Sequence, residues 1–303
     1  QAVKAKAFDA LRGLLPASAL SNVGIYGTGQ AYEALLLRMR SHPLPESRLY
    51  ADLMLGELRK VIPSFLERVD LEDRGVVWSD YLENTREDTK DIVASLLQEG
   101  TPIDPSPVVR LVDFDPSGED KMVASMMYSH SNLPEEQLQR RVAAMNTEDK
   151  LALVRAYVGD RTNRRHKPGR ALERPFYRFD VLVDYGAFRD LQRHRMLTME
   201  WQQLSPTHGY TRPPLIDAAG MSNAFDEVME RSASLYDLLL DDFPDQASYA
   251  VSLAYKIRFN MNINARSAMH LIELRTTLLT SKATLRAILV SVNLETFHNS
   301  IRE

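Results

Sequence analysis

The 303-residue sequence contains no cysteine. Disulfide bonds, thiolate nucleophiles and cysteine-ligated zinc are therefore excluded, and we expect a reducing, cytoplasmic compartment. No apolar run approaches the length of a membrane span and no signal peptide opens the chain, so no membrane association is expected. The formal net charge of −4 provides no basic surface for nucleic acid. The first residue is Gln1 and not Met, which is consistent with a processed product or a fragment.

The seven histidines are scattered. No two of them have the helical spacing of metal ligands together with a partnering carboxylate, so no metal site is expected.

Helical periodicity dominates the chain and predicts an α+β fold with few strands. Two segments are expected to be strands, 108–114 and the stretch that begins at 175 and becomes helical near Tyr185. Pro63 is expected to kink or end one of the helices. Helices are predicted over 30–40, 48–69, 86–99, 119–130, 134–145, 147–158, 223–241, 265–275 and 280–297.

The second predicted strand alternates in hydrophobicity, which assigns its side chains to two faces. One face is expected to carry Phe176, Arg178, Asp180 and Leu182, and the other Tyr177, Phe179, Val181 and Val183.

Two distant stretches share a layout. "ALLLRMRS" at 34–41 resembles "HLIELRTT" at 270–277, an offset of 236, and each follows a segment of small and polar residues. We therefore expect a tandem arrangement. Residues 1–75 would be the C-terminal part of a first, incomplete module, 76–107 a helical linker and 108–303 a second module. The breaker-rich stretch "GTPIDPSP" at 100–107 is the expected domain boundary.

Arg193, His194 and Arg195 stand side by side between two apolar runs. Three neighbouring potential cations would repel each other, so one interpretation is a site for an anion or a cofactor, with guanidinium groups on a phosphate or a flavin edge. The alternative is a solvated helix end, where basic residues are favoured by the helix dipole.

The stretch "QRHRMLT" resembles the signature of the flavin-dependent thymidylate synthases, the ThyX family. That signature continues with a serine, an Asn-Glu pair and a Ser-x-Arg-Tyr end. Here Thr198 takes the place of the first serine, and Glu200 and Trp201 replace Asn-Glu. Ser205 and Tyr210 resemble the end of the signature, but its arginine is absent.

The resemblance continues along residues 108–300 and implies a mostly antiparallel central sheet flanked by long helices. By the match of "NINARSAMHLIELR", Asn264 and Arg266 fall on flavin-contacting positions. Arg275 falls on the arginine that polarises the pyrimidine ring. In the first copy, Arg12 falls on a nucleotide-phosphate arginine and Arg40 pairs with Arg275.

The family implies FAD as the cofactor. It further implies transfer of a folate-derived one-carbon unit to C5 of dUMP, with NADPH as reductant, in a homo-oligomer. Arg193, His194 and Arg195 would hold the flavin together with Asn264 and Arg266.

Three further residues extend the expected site. His166, within the basic stretch "RTNRRHKPGR" at 161–170, is the nearest equivalent of a flavin-reaching histidine, although that stretch also fits a solvated loop. His270 lies one turn after Arg266 on the same helix face, near the flavin or as a core histidine. Ser205 contacts substrate or serves as a cap.

The departures from the signature leave two alternatives open. The chain is a catalytically degenerate flavin- or nucleotide-binding protein or scaffold, or it is a flavin-dependent methylase of another pyrimidine nucleotide. Retention of Asn264, Arg266 and Arg275 counts against a pure scaffold, which has no need of buried cations.

The role implied for Arg275 leads to a test. Arg275→Ala is expected to retain flavin but to lose nucleotide affinity, because the guanidinium would contact the pyrimidine and not the cofactor. Flavin absorbance and a dUMP titration measure the two separately. If the variant binds both flavin and dUMP as tightly as the wild type, Arg275 does not have this role.

Overall fold

The computed structural model describes residues 2–97, 101–104 and 107–276. The chain divides into two units. The first comprises residues 1–17, 105–236 and 248–303, and the second comprises 18–104 and 237–247. The helices, in chain order, are α1 Ala2–Leu11, α2 Gly29–Arg40, α3 Pro45–Leu58, α4 Pro63–Leu66, α5 Val77–Leu96, α6 Gly118–Tyr128, α7 Glu135–Ala143, α8 Thr147–Val158, α9 Tyr185–Leu191, α10 Pro214–Ala218, α11 Ser222–Leu240 and α12 Ala265–Thr276.

The first unit is built on a four-stranded sheet of β1 Val109–Phe114, β2 Phe176–Asp184, β3 Thr198–Trp201 and β4 Lys256–Asn264. The strand order is β1-β2-β4-β3 and every pairing is antiparallel. The α+β class and the antiparallel sheet are thus confirmed. The two central strands pair along nine residues each, from Phe176 opposite Asn264 to Asp184 opposite Lys256.

One face of the sheet is apolar and the other polar, because the side chains alternate along each strand. Phe179 and Val181 of β2, with Phe259 and Met261 of β4, are at most 1% exposed. The opposite face carries polar side chains such as Arg178 and Asn260, which are exposed. The predicted division of β2 into two faces is confirmed. The strands β3 and β4 were not predicted.

Helix starts in the first unit are fixed by side-chain caps. Asn146, Asp184 and Asn264 accept hydrogen bonds of 2.8 Å from the backbone N–H groups three residues on, at the starts of α8, α9 and α12. The helix α8 ends at Val158 and is followed by Gly159, whose φ of +63° lies in the region that glycine adopts without strain.

The second unit has its own core. Leu36 and Leu37 of α2 pack with Ala51 and Leu55 of α3 and with Leu66 of α4, all at most 4% exposed. The helix predicted over 48–69 is two helices, since α3 ends at Leu58 and α4 begins at Pro63, where a missing N–H costs nothing. The helix predicted from 86 begins at Val77. The predicted helix over 280–297 lies outside the described residues.

The N-terminal segment pairs with the segment that precedes β4. Ala17 N donates to Val251 O, and Leu253 N donates to Leu15 O, each at 2.8 Å. Pro16 and Ser252 form an isolated antiparallel bridge. Residues 1–17 therefore belong to the first unit and not with residues 18–75.

The two units are not the same division as the predicted modules 1–75, 76–107 and 108–303. One boundary between the two units does fall between residues 104 and 105, within the breaker-rich stretch. The assignment of the modules as copies of one ancestor stays a prediction.

The apolar face of β4 is expected to carry much of the first unit's stability. Phe259 is 1% exposed and its ring centroid lies 5.0 Å from that of Phe188 on α9. Phe259→Ala is expected to lower the free energy of unfolding by about 3–5 kcal/mol, because burial is lost and a cavity remains. Urea denaturation measures it. Val112→Ala, at an exposed position of the edge strand β1, is the control and should change little.

Candidate functional site

A small cavity of about 60 Å³ lies beside α12 in the first unit. Three of its lining residues, Arg266, His270 and Glu273, follow each other at one-turn intervals on that helix. The loop between α8 and the turn before β2 contributes the facing wall with Arg161 and Lys167. The predicted placement of Arg266 and His270 on one helix face is confirmed.

Two arginines fasten this loop to the rest of the site. Arg161 pairs with Glu273 of α12 at 2.7 Å and donates to the carbonyl of His166. Arg266 donates from Nε to the carbonyl of Pro168 at 2.9 Å and from Nη1 to Glu173 Oε1 at 3.0 Å. Each guanidinium thus holds one carboxylate and one loop carbonyl.

The cavity keeps an excess of positive charge. Glu273 and Glu173 balance Arg161 and Arg266, whereas Arg164 and Lys167 also line the cavity and have no ion pair within the part of the chain that the structure describes. Two methionines, Met196 and Met269, provide its apolar lining. Such a site suits an anionic group carried on an apolar body.

Glu173 is shared between two arginines. It accepts from Arg266 and also from Arg170, whose Nε and Nη2 lie 3.1 and 3.0 Å from Oε2. The hydrogen bond from Arg170 is the main reason that the pKa of Glu173 is lowered, so the carboxylate stays ionised and keeps its hold on Arg266.

The Arg-His-Arg triplet is divided by the fold. His194 is 9% exposed, and its ring centroid lies 5.4 Å from that of His270. Its flanking arginines are exposed; Arg193 lies 3.6 Å from Asp190, and Arg195 has no ion pair within the described residues. The register of β3 explains this placement. Thr198 lies opposite Asn262, so the residues just before β3 reach the end of β4, where α12 begins.

The other predicted site residues have structural partners. Asn264 caps α12, and Ser205 caps a short 3₁₀ turn by accepting from Thr207 N. Arg12 is exposed and lies 3.4 Å from Asp9. Arg40 belongs to the second unit, where it pairs with Asp52.

Two predicted residues need a separate statement. His166 stands in the loop, where its imidazole lies within hydrogen-bonding distance of the Thr162 hydroxyl and the Asn163 amide. Arg275 is in the last turn of α12, and its side chain lies outside the described residues.

Sequence reasoning missed Glu173, Glu273 and the two methionines. Glu273 follows His270 by three residues and could have been found from helical spacing. Glu173 could not, because its partner Arg266 lies 93 residues away.

No group of three metal-ligating side chains occurs among the described residues. Over the same residues, none of the helices has both the length and the apolar character that a membrane crossing requires.

The family model described as thymidylate synthase complementing protein, Thy1, matches residues 110–289. This match covers more than half of the chain. The chain therefore belongs to the Thy1 family.

Curated relatives carry the name UPF0159 protein. One from Chlamydia pneumoniae is 38% identical over 276 residues, which cover 90% of this chain and 51% of the relative. Another from Thermoplasma acidophilum is 31% identical over 281 residues, which cover 91% and 54%. The chain thus spans about half the length of these relatives.

Solved structures of similar fold have low sequence identity. The flavin-dependent thymidylate synthase ThyX from Helicobacter pylori, complexed with FAD and dUMP, is 16% identical with a TM-score of 0.43, covering 61% of this chain and 92% of that one. The UMP/dUMP methylase PolB from Streptomyces cacaoi, bound with 5-Br dUMP, is 18% identical with a TM-score of 0.40, covering 54% and 76%.

The two contacts of Arg266 are expected to order the loop. Arg266→Ala removes both, and hydrogen exchange of the amides over 161–169 should become roughly tenfold faster or more, since a charge-assisted hydrogen bond is worth about 1.5–3 kcal/mol. Mass-spectrometric exchange measures it. Arg178→Ala, which removes an ion pair with Asp113 on the sheet, is the control. Equal exchange in both variants would show that Arg266 does not hold the loop.

Proposed function

We propose that this member of the Thy1 family is a FAD-dependent, thymidylate synthase-like protein that transfers a one-carbon unit to C5 of dUMP. The observation that carries the proposal is the cationic cavity beside α12, where Arg161, Arg164, Lys167 and Arg266 converge next to the neighbouring rings of His194 and His270. Family membership gives this cavity its chemical context.

The residues of the cavity fit a flavin dinucleotide. Guanidinium forks bind phosphate oxygens in a planar, bidentate manner, and Arg164 and Lys167 have no ion pair within the described chain that a phosphate would have to displace. A volume of about 60 Å³ accommodates one such group and not a whole cofactor. The flavin would therefore place one phosphate of its pyrophosphate here and extend along the exposed Arg193 and Arg195.

The protein's contribution would be binding and orientation. Reduced FAD, when bound, supplies the hydride. His270, whose ring lies beside that of the buried His194, would provide a half-buried surface for a ring, and Glu173 and Glu273 keep Arg266 and Arg161 in place. Arg275 would polarise the pyrimidine carbonyl by stabilising the negative charge that develops on it. A folate-derived one-carbon donor and NADPH complete the proposed substrates.

A tandem origin is also proposed. The curated relatives are about twice as long as this chain. The helices α2 and α12 begin at Gly29 and Ala265, each behind a side-chain cap, and these positions are 236 residues apart. Pro16 and Ser252 are 236 residues apart as well, and they face each other in an antiparallel bridge. When two copies are related by a two-fold axis, a residue near that axis lies opposite its own equivalent in the other copy.

Self-association is proposed from exposed apolar side chains. Leu238 on α11 is 75% exposed, and Leu49, Tyr50 and Leu53 on α3 are each more than half exposed. Apolar surface of this kind marks contacts with other chains.

One observation favours a second candidate, a non-catalytic flavin- or nucleotide-binding protein. The residues that replace the family's Asn-Glu, Glu200 and Trp201, lie in β3 and pair with Asn260 and Phe259 of β4. A strand position engaged in a sheet is less free to rearrange around a substrate. A methylase of another pyrimidine nucleotide remains the third candidate, with the altered stretch after Arg195 as its changed pocket.

The proposal is tested by absorbance spectroscopy of the purified protein, before and after addition of FAD, followed by titration with dUMP. Bound flavin with a dUMP-induced spectral change is the expected result. Arg193→Ala should abolish flavin retention because it removes a cation from the proposed site. Arg231→Ala, an exposed arginine paired with Glu227 on α11, is the matched control.

Protein that binds no FAD at any concentration would refute the flavin proposal. Flavin binding without any response to dUMP, but with a response to another pyrimidine nucleotide, would favour the methylase. Flavin binding with no response to any pyrimidine nucleotide would favour the non-catalytic candidate.

A further inference from the structure

A second and larger cavity lies in the first unit, between the end of α6, the helix α8 and the 3₁₀ turn that precedes β2. Its volume of about 510 Å³ falls within the range of roughly 300–1,000 Å³ that is usual for small-molecule sites. Its polar and aromatic lining consists of Ser125, Tyr128, Ser129, Tyr157, Arg170, Glu173 and Arg174. None of these seven residues lines the cavity discussed above, although Glu173 holds Arg266 of that cavity.

Several hydroxyl groups of this cavity have hydrogens that no described residue accepts. Tyr157 Oη accepts from Ala171 N at 3.2 Å, which leaves its own hydrogen available. The hydroxyls of Ser125 and Ser129, one turn apart, make no hydrogen bond to any residue within 2–97, 101–104 or 107–276. Three hydroxyl donors therefore line the cavity without an acceptor for their hydrogens.

Two guanidinium groups add positive charge. Arg170 is bound to Glu173 through Nε and Nη2 only, and its side chain is 85% exposed. Arg174 lies 3.2 Å from Glu135 and is half exposed. Each arginine thus keeps N–H groups that a ligand can reach. The two guanidinium groups and the hydroxyls face a single lining carboxylate, that of Glu173, so donors are in excess and the cavity selects an anion.

The loop lies close against the ring of Tyr157. A Cβ atom at Gly169 would lie 2.2 Å from Tyr157 Oη, so a larger residue at 169 would force the ring or the loop to shift. Together with the exposed ring of Tyr128, the Tyr157 ring provides aromatic surface beside the cations.

We infer that this cavity is a binding site for a small organic anion that carries an aromatic ring. The carboxylate or phosphate of the ligand lies on Arg170 and Arg174, its remaining oxygens accept from the hydroxyl groups, and its ring packs against Tyr128 and Tyr157. The ligand competes with Glu173 for Arg170. The inference does not depend on the proposed flavin chemistry.

The competition with Glu173 gives the site a distinctive test. Binding of phenyl phosphate and of benzoate is measured by isothermal titration calorimetry on the full chain, with inorganic phosphate and phenol as probes of the anion alone and the ring alone. Arg170→Ala should weaken binding of both ring anions roughly tenfold or more. Glu173→Gln should strengthen it several-fold, because Arg170 loses its competing carboxylate.

Arg231→Ala is the matched control, since it removes an equally exposed arginine from an ion pair with Glu227, also within one helical turn. It should leave binding unchanged. Whichever of phenyl phosphate and benzoate binds more tightly identifies the preferred anionic group, and either result supports the site.

Equal affinities in Arg170→Ala and wild-type protein would overturn the inference, as would phenol binding as tightly as phenyl phosphate. If Arg170→Ala does not fold, Glu173→Gln decides, because weakened or unchanged binding in that variant contradicts the competition. FAD binding is measured on the same samples, so failure of the flavin proposal can be distinguished from failure of this one.

Discussion

The pairing of β2 with β4 is the interaction on which the first unit depends. Nine residues of each strand stay in register, and this register places the apolar side chains of both strands on one buried face. A slip of one residue would expose every one of them. The same register fixes the start of α12 after Asn264 and the start of β3 opposite Asn262. The cationic cavity and the contact between the two histidine rings are therefore consequences of the sheet.

Carboxylates organise the cations that the sheet brings together. Glu273 fastens Arg161, and Glu173 fastens Arg266 and Arg170, so the loop between α8 and β2 is tied to both neighbours. Ion pairs on a partly exposed surface add little stability by themselves. Their value here is geometric, because they hold planar guanidinium groups in one orientation while Arg164 and Lys167 remain available. Glu173 binds one arginine of each cavity, Arg170 and Arg266. A ligand that binds one of these arginines therefore changes how Glu173 holds the other.

The Arg-His-Arg triplet shows how a motif is used unevenly. The segment just before β3 runs to the end of β4. Of its three basic residues, only the central one, His194, turns toward the interior. His194 is buried against His270, whereas Arg193 and Arg195 face solvent. The two arginines would not be buried with it, since each guanidinium would lose its hydration without a partner. The triplet thus combines a fixed ring with two cations that a ligand can reach.

The sequence alone determined most of the helices, the two faces of β2 and the common face of Arg266 and His270, because each depends on a period of 3.6 or 2 residues. It did not predict α1 or α10, nor the division of 48–69 into α3 and α4. It did not reveal β4, whose polar face of lysine, arginine and asparagine concealed an apolar face of equal regularity. The ties of Arg161 to Glu273 and of Arg266 to Glu173 join residues 112 and 93 positions apart. Only the tertiary structure could decide these pairs, because the sheet register sets which distant residues meet.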